Sequence, residues 1–144
     1  MYYVNIEQIE KHLQFISRIV TACEELQRRW ERGSLAFCFA QERAIHLAIE
    51  TVTDIGSLLI DGFLMRDPGG YEDIIEILQG ENVLPPSLAE KLVQTVRLRR
   101  PLMQDYTDFQ REEMHPMIRD IPEMLRQFQE AVVRYLQAEI GYKP

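Results

Sequence analysis

The chain has 144 residues, of which 46% are hydrophobic and 27% charged, with a formal net charge of −7. That is enough chain for one domain with its own core, and the composition is that of an ordinary globular protein. An acidic chain is a poor general binder of nucleic acid, because phosphate attraction supplies most non-specific affinity, so any such contact needs a local basic patch.

Two cysteines, Cys23 and Cys38, sit among apolar residues and outside any CxxC pair. They read as buried free thiols rather than as a disulfide or zinc site. The segment Met1-Tyr2-Tyr3-Val4-Asn5 lacks a basic region followed by an apolar run, so no signal peptide is expected. The apolar stretch from Ala44 to Met65 is interrupted by His46, Glu50, Asp54 and Asp61 and does not read as a membrane span. A cytoplasmic protein with no membrane association, no metal and no cofactor is expected.

Helical spacing recurs almost everywhere, and no segment alternates with period two over a strand's length. The first helix starts at Asn5, with Gln8 three residues on as a capping box wants, and ends near Arg32 before Gly33. Its stripe is Ile6, Ile9, Leu13, Ile16, Val20 and Cys23. Trp30 closes this helix against the core. The second helix runs from about Ser34 to Phe63 and is apolar on most sides, which marks it as the central helix and as a possible subunit interface. Asp67-Pro68-Gly69-Gly70 is a turn. A short helix follows from Tyr71 to Leu78, closed by Gly80. Ser87 with Glu90 reads as a second capping box, opening a helix through Leu92, Val93 and Val96. Pro101 bends or stops that helix near Arg100. Pro116 and Pro122 divide the remainder into a short helix, Phe109 to Arg119, and a longer one from about Pro122 to Ala138. The longer one carries the stripe Leu125, Phe128, Val132 and Leu136, with Tyr135 beside it. The sum is an all-α, up-and-down antiparallel bundle of about four main helices plus short ones, in a single domain over residues 1–144.

Two polar constellations stand out. Arg97, Arg99 and Arg100 are the one basic cluster beyond Arg28-Arg29. On the second helix, Arg43, His46, Glu50, Asp54, Ser57 and Asp61 advance by three or four residues and form one polar stripe. The plain readings are a solvated helix end and a solvent-facing strip. The functional reading sets the stripe opposite the arginines, with Glu50 or Asp54 pairing Arg97 or Arg99. Glu112 and His115 have the E-x-x-H spacing of a ferritin-like iron ligand pair but stand alone, so a surface pair is expected. His12 is a lone histidine among apolar neighbours and reads as structural.

From Arg99 to Tyr106 the sequence runs R-R-x-x-x-Q-x-Y. This resembles the R-N-x-x-x-H-x-Y motif of the HepT-like branch of the HEPN superfamily, also called domain of unknown function 86. Arg43-Ala44, Glu50 to Gly56, Asp61-Gly62-Phe63 and Asp67-Pro68-Gly69-Gly70-Tyr71 resemble the same branch, especially its YutE-like members, which show a similar motif ending Gln-Asp-Tyr. The resemblance spans about Ile6 to Leu136. It implies a HEPN-like helical bundle and a metal-independent endoribonuclease of toxin type, in which an arginine holds the scissile phosphate and a histidine moves the proton. Arg99 takes the arginine's place, and Gln104 stands where the histidine belongs. Glutamine hydrogen-bonds but does not titrate, so the motif is degenerate. Arg97, Arg100 and Tyr106 complete the implied binding site. On an unbroken helix Arg97, Arg100 and Gln104 share one face, and Arg99 and Tyr106 share another.

The resemblance further implies a homodimer partnered by an MNT-type nucleotidyltransferase, with Tyr106 as the position open to adenylylation. Three functions remain in view. One is a non-catalytic, RNA- or nucleotide-site-binding partner of toxin-antitoxin type. A second is an active endoribonuclease whose base is His46 or His115. The third is a purely structural or regulatory helical dimer.

Overall fold

In the computed structural model, residues 2–144 are described; Met1, part of the N-terminal segment read above, lies outside them. Six α-helices and one 3-10 turn form the described chain, with no strand: α1 Ile6–Arg29, α2 Leu35–Gly62, α3 Tyr71–Gly80, α4 Pro86–Val96, α5 Arg99–Met103 and α6 Met117–Ile140, the 3-10 turn being Tyr106–Asp108. No helix among the described residues is long and apolar enough to cross a membrane. The long helices α1, α2 and α6 pack on one another, and α3 and α4 close the other side of α2. The core runs through Ile9, Ile16, Ile45, Ile55, Leu59, Leu92 and Phe128, all essentially inaccessible.

α1 opens as its sequence dictates: the Asn5 side chain accepts the Gln8 N–H at 3.2 Å. It ends at Arg29, three residues before the expected stop. Trp30 leaves the helical conformation and packs against Phe37, so the left-handed Gly33 (φ +78°) lies in the following loop, not at the helix end. α2 agrees within one residue at each end. α3 runs two residues past Leu78, and the left-handed position that turns the chain is Asn82 (φ 63°), not Gly80.

Three other expectations need correction. Ser87 makes no capping bond; α4 starts one residue earlier, at Pro86, whose missing N–H leaves one fewer donor to satisfy in the first turn. Pro101 does not end α4. The helix already stops at Val96, a turn at Arg97 and Leu98 intervenes, and Pro101 occupies the first turn of α5, where no helical donor is needed. Residues 109–116 are not helical, because the fully buried Gln41 of α2 holds that segment's backbone. Its side-chain amide donates to the Glu113 carbonyl at 3.1 Å and accepts from the His115 N–H at 2.8 Å.

α6 passes straight through Pro122. A proline at that position cannot donate to the carbonyl four residues back, Ile118. Gln27 of α1 supplies the missing donor: its Nε2 reaches the Ile118 oxygen at 3.1 Å. A long-range side-chain bond thus replaces a helical one, and the buried proline ring packs without a kink-inducing orphan.

Candidate functional site

The polar stripe of α2 meets α5 at Glu50. Glu50 is its centre. Arg99, the first residue of α5, donates from Nε to Glu50 Oε1 at 3.4 Å, and both side chains are about two-thirds buried, at 33% and 27% exposure. The Arg99 guanidinium lies over the Tyr71 ring, 4.1 Å from its centroid. A carboxylate on one side and an aromatic face on the other fix the plane of the cation. The short α5 puts Arg99 there because the break at Leu98 rotates it out of the α4 register.

The same break separates the three arginines. Arg97 caps α4 and pairs with Glu72 of α3 at 2.9 Å, not with Glu50 or Asp54. Arg100 is exposed and faces Asp105 at 3.6 Å. Gln104 caps α5, with its N–H on the Arg100 carbonyl at 2.8 Å and its side chain exposed. Tyr106 opens the 3-10 turn, 57% exposed. The shared face expected for Arg97, Arg100 and Gln104 therefore does not form as one unbroken helical stripe.

Arg43 and His46 extend the site along α2. His46 Nε2 lies 3.3 Å from Glu50 Oε1, and His46 Nδ1 lies 3.0 Å from Arg43 Nη1. Both ring nitrogens are thus engaged. One turn further on, Asp54 meets His12 of α1, with Nε2 and Oδ2 3.6 Å apart. His12 is therefore not a core histidine. Its Nδ1 donates to the Gln8 carbonyl at 2.8 Å, which directs Nε2 at the carboxylate. The pair lies in a groove of about 380 Å³ between α1 and α2, lined also by Lys11, Phe15, Leu47 and Glu50. Burial raises the Asp54 carboxyl above its ordinary range; His12 opposes this and Glu50 adds to it.

His115 is not half of a surface pair with Glu112. Its ring stacks on Phe109, its Nδ1 accepts the Met117 N–H at 3.0 Å, and burial pushes its pKa down, opposed by Asp120. It lies in the loop two residues before α6, and no described contact joins it to Arg99 or Gln104. Among the described residues no group of His, Cys, Asp and Glu has the placement of a metal site. Cys23 and Cys38 are buried free thiols, as expected, with burial raising Cys23 to about 12.

Of the pairings open from the sequence, Glu50 or Asp54 with Arg97 or Arg99, only Glu50 with Arg99 forms; Arg97 takes Glu72 and Asp54 takes His12, neither of them expected. The role of Tyr71 under Arg99 was not expected either. The acidic residues Glu72 and Asp73 in the first turn of α3 were the available signal for Arg97.

The all-helical bundle is that of a HEPN-type protein. A model of the family described as Ribonuclease HepT-like matches residues 6–132, and the chain belongs to that family. It is 36% identical over 143 residues to YutE of Bacillus subtilis (strain 168), a candidate RNase, covering 98% of this chain and 96% of YutE. The solved structure of YutE, described as a cytosolic protein of unknown function, superposes with a TM-score of 0.89 at 32% identity, covering 100% of this chain and 99% of that one. The crystal structure of a toxin-antitoxin with AMP-PNP shares the fold, with a TM-score of 0.74 at 16% identity, covering 86% of this chain and 96% of that one.

Proposed function

We propose that this chain is a HepT-like protein that binds at its Arg99 site rather than cutting there, and that it works as a homodimeric, toxin-antitoxin-type partner of an MNT-type nucleotidyltransferase. The observation that carries the reading is the separation of roles in the motif. Arg99 is held by Glu50 and Tyr71 as a phosphate-binding arginine needs to be. Gln104, at the position where the family motif has its proton-transferring histidine, is an exposed amide that cannot titrate. Affinity is retained and the proton shuttle is missing.

Tyr106 supports a regulated site. Its side chain is exposed, one residue after the Asp105 that faces Arg100, and none of the described hydrogen bonds engages its hydroxyl. An adenylyl group there adds bulk and negative charge next to the motif arginines and occupies the phosphate site. The test is to produce the chain together with its native nucleotidyltransferase and measure the intact mass. An added adenylyl mass that disappears in Tyr106→Phe supports the partnership; an unmodified chain argues against it.

The runner-up, an active endoribonuclease using another base, rests on His46. It lies in contact with Glu50, and so within the site, whereas His115 does not. Loss of cleavage in His46→Ala with the fold intact would support it.

A further inference from the structure

Arg43 and His46 lie outside the motif. Arg43 Nη1 donates to His46 Nδ1 at 3.0 Å. A guanidinium is a donor only, so Nδ1 is the accepting nitrogen and the ring proton sits on Nε2. Nε2 lies 3.3 Å from Glu50 Oε1, close enough for charge contact but not aligned as a hydrogen bond. The same oxygen takes the Arg99 N–H. Four side chains thus lie in one row: Arg43 donates to His46, His46 stands against Glu50, and Arg99 donates to Glu50.

The two guanidinium ends differ. Arg99 shares its charge with Glu50 and is covered by Tyr71. Arg43 is exposed, spends one N–H on an uncharged imidazole nitrogen, and has no carboxylate partner among the described residues. Its remaining donors and its whole charge are open to a ligand.

We propose that Arg43 is a phosphate-contact residue of the Arg99 site, taking a phosphodiester of single-stranded RNA, and that His46 is the positioning residue that aims it. This rests on the reading of the Arg99 site as a phosphate site. The acidic chain as a whole repels RNA, so contact depends on local cations such as this one.

The test is fluorescence anisotropy of a labelled single-stranded RNA oligonucleotide with the full chain and with Arg43→Gln, Arg99→Gln, His46→Gln and His46→Leu, each checked for native helix content. Arg43→Gln should weaken binding about tenfold and flatten the slope of log affinity against log salt by about 0.7, one phosphate's share for a single strand. His46→Gln keeps an acceptor for Arg43 and should stay within about twofold of native; His46→Leu keeps none and should lose about threefold or more. Nitrogen NMR of His46 should show the proton on Nε2, and on Nδ1 in no major form. Native-like affinity and salt slope in Arg43→Gln, alongside weakened binding in Arg99→Gln, would overturn the inference and leave the phosphate-site reading standing. Equal losses in the two His46 variants, or a proton on Nδ1, would overturn the positioning role. No binding of RNA by the native chain, even at low salt, would remove the phosphate-site reading and this inference together.

Discussion

Glu50 Oε1 accepts from Arg99 Nε at 3.4 Å and lies 3.3 Å from His46 Nε2. One carboxylate oxygen therefore ties α5 to α2 and orients the motif arginine. Glu50→Lys sets a second cation against Arg99. The exchange should lower stability to urea by about 1 kcal/mol, a modest figure because the pair remains partly solvated. Glu50→Gln, which keeps an acceptor, should cost less. Identical urea midpoints for all three chains would mean that the pairing has no structural weight.

Gly56 sets how closely α3 approaches α2. A Cβ there would meet Ile74 Cγ2 at 2.5 Å and Leu78 Cδ1 at 3.2 Å. Gly56→Ala should push α3 away and cost about 1–3 kcal/mol, as overpacking of a tight core does. α3 also carries Tyr71 and Glu72, the partners of Arg99 and Arg97. RNA affinity should fall with stability in this variant. A thermal midpoint equal to native would show that the contact relaxes freely.

Gln27 and Pro122 should be energetically coupled. Gln27→Ala leaves the Ile118 carbonyl without its donor and should cost about 1 kcal/mol. With Pro122→Ala in the background, the helix regains an N–H for that carbonyl, and the same Gln27 change should cost clearly less. A double-mutant cycle in urea reads this directly. Additive effects would mean that the side chain does not stand in for the helical bond.

His115 should make stability depend on mild acid. Burial lowers its pKa in the fold from an ordinary value of 6.5. The unfolded chain then binds more protons than the folded one in the window just below that value. Stability is therefore complete above about pH 6.5 and falls as pH drops toward the folded pKa. His115→Gln should flatten the native chain's loss between pH 7 and 5, measured by urea midpoints. Parallel curves for the two proteins would count against a buried neutral imidazole.

Much of the bundle was legible because helical periodicity and caps are local. Asn5 capped α1 as read, and α2 matched within a residue. The misses share a cause: side chains far away in sequence supplied the missing bonds. Gln41 of α2 holds residues 111–115 out of a helix, and Gln27 of α1 lets α6 continue through Pro122. Neither effect leaves a mark near the prolines that suggested breaks. Within the site, Glu50 and Arg99 were readable because a polar stripe on an apolar helix demands partners. The partners of Arg97 and Asp54 were not, because the turn at Leu98 changes the register of the arginines and because His12 looks apolar in context but faces the groove.

Under the proposed function, the Arg99 site lacks only its proton-transfer group. RNA cleavage in the presence of chelator, comparing the native chain with Gln104→His at matched folding, tests it most directly. The native chain should leave the RNA whole and the histidine variant should cut it, since a titratable base at that position is commonly worth about 10²–10⁴ in rate. Equal cleavage by both would contradict it, placing the chemistry elsewhere than position 104.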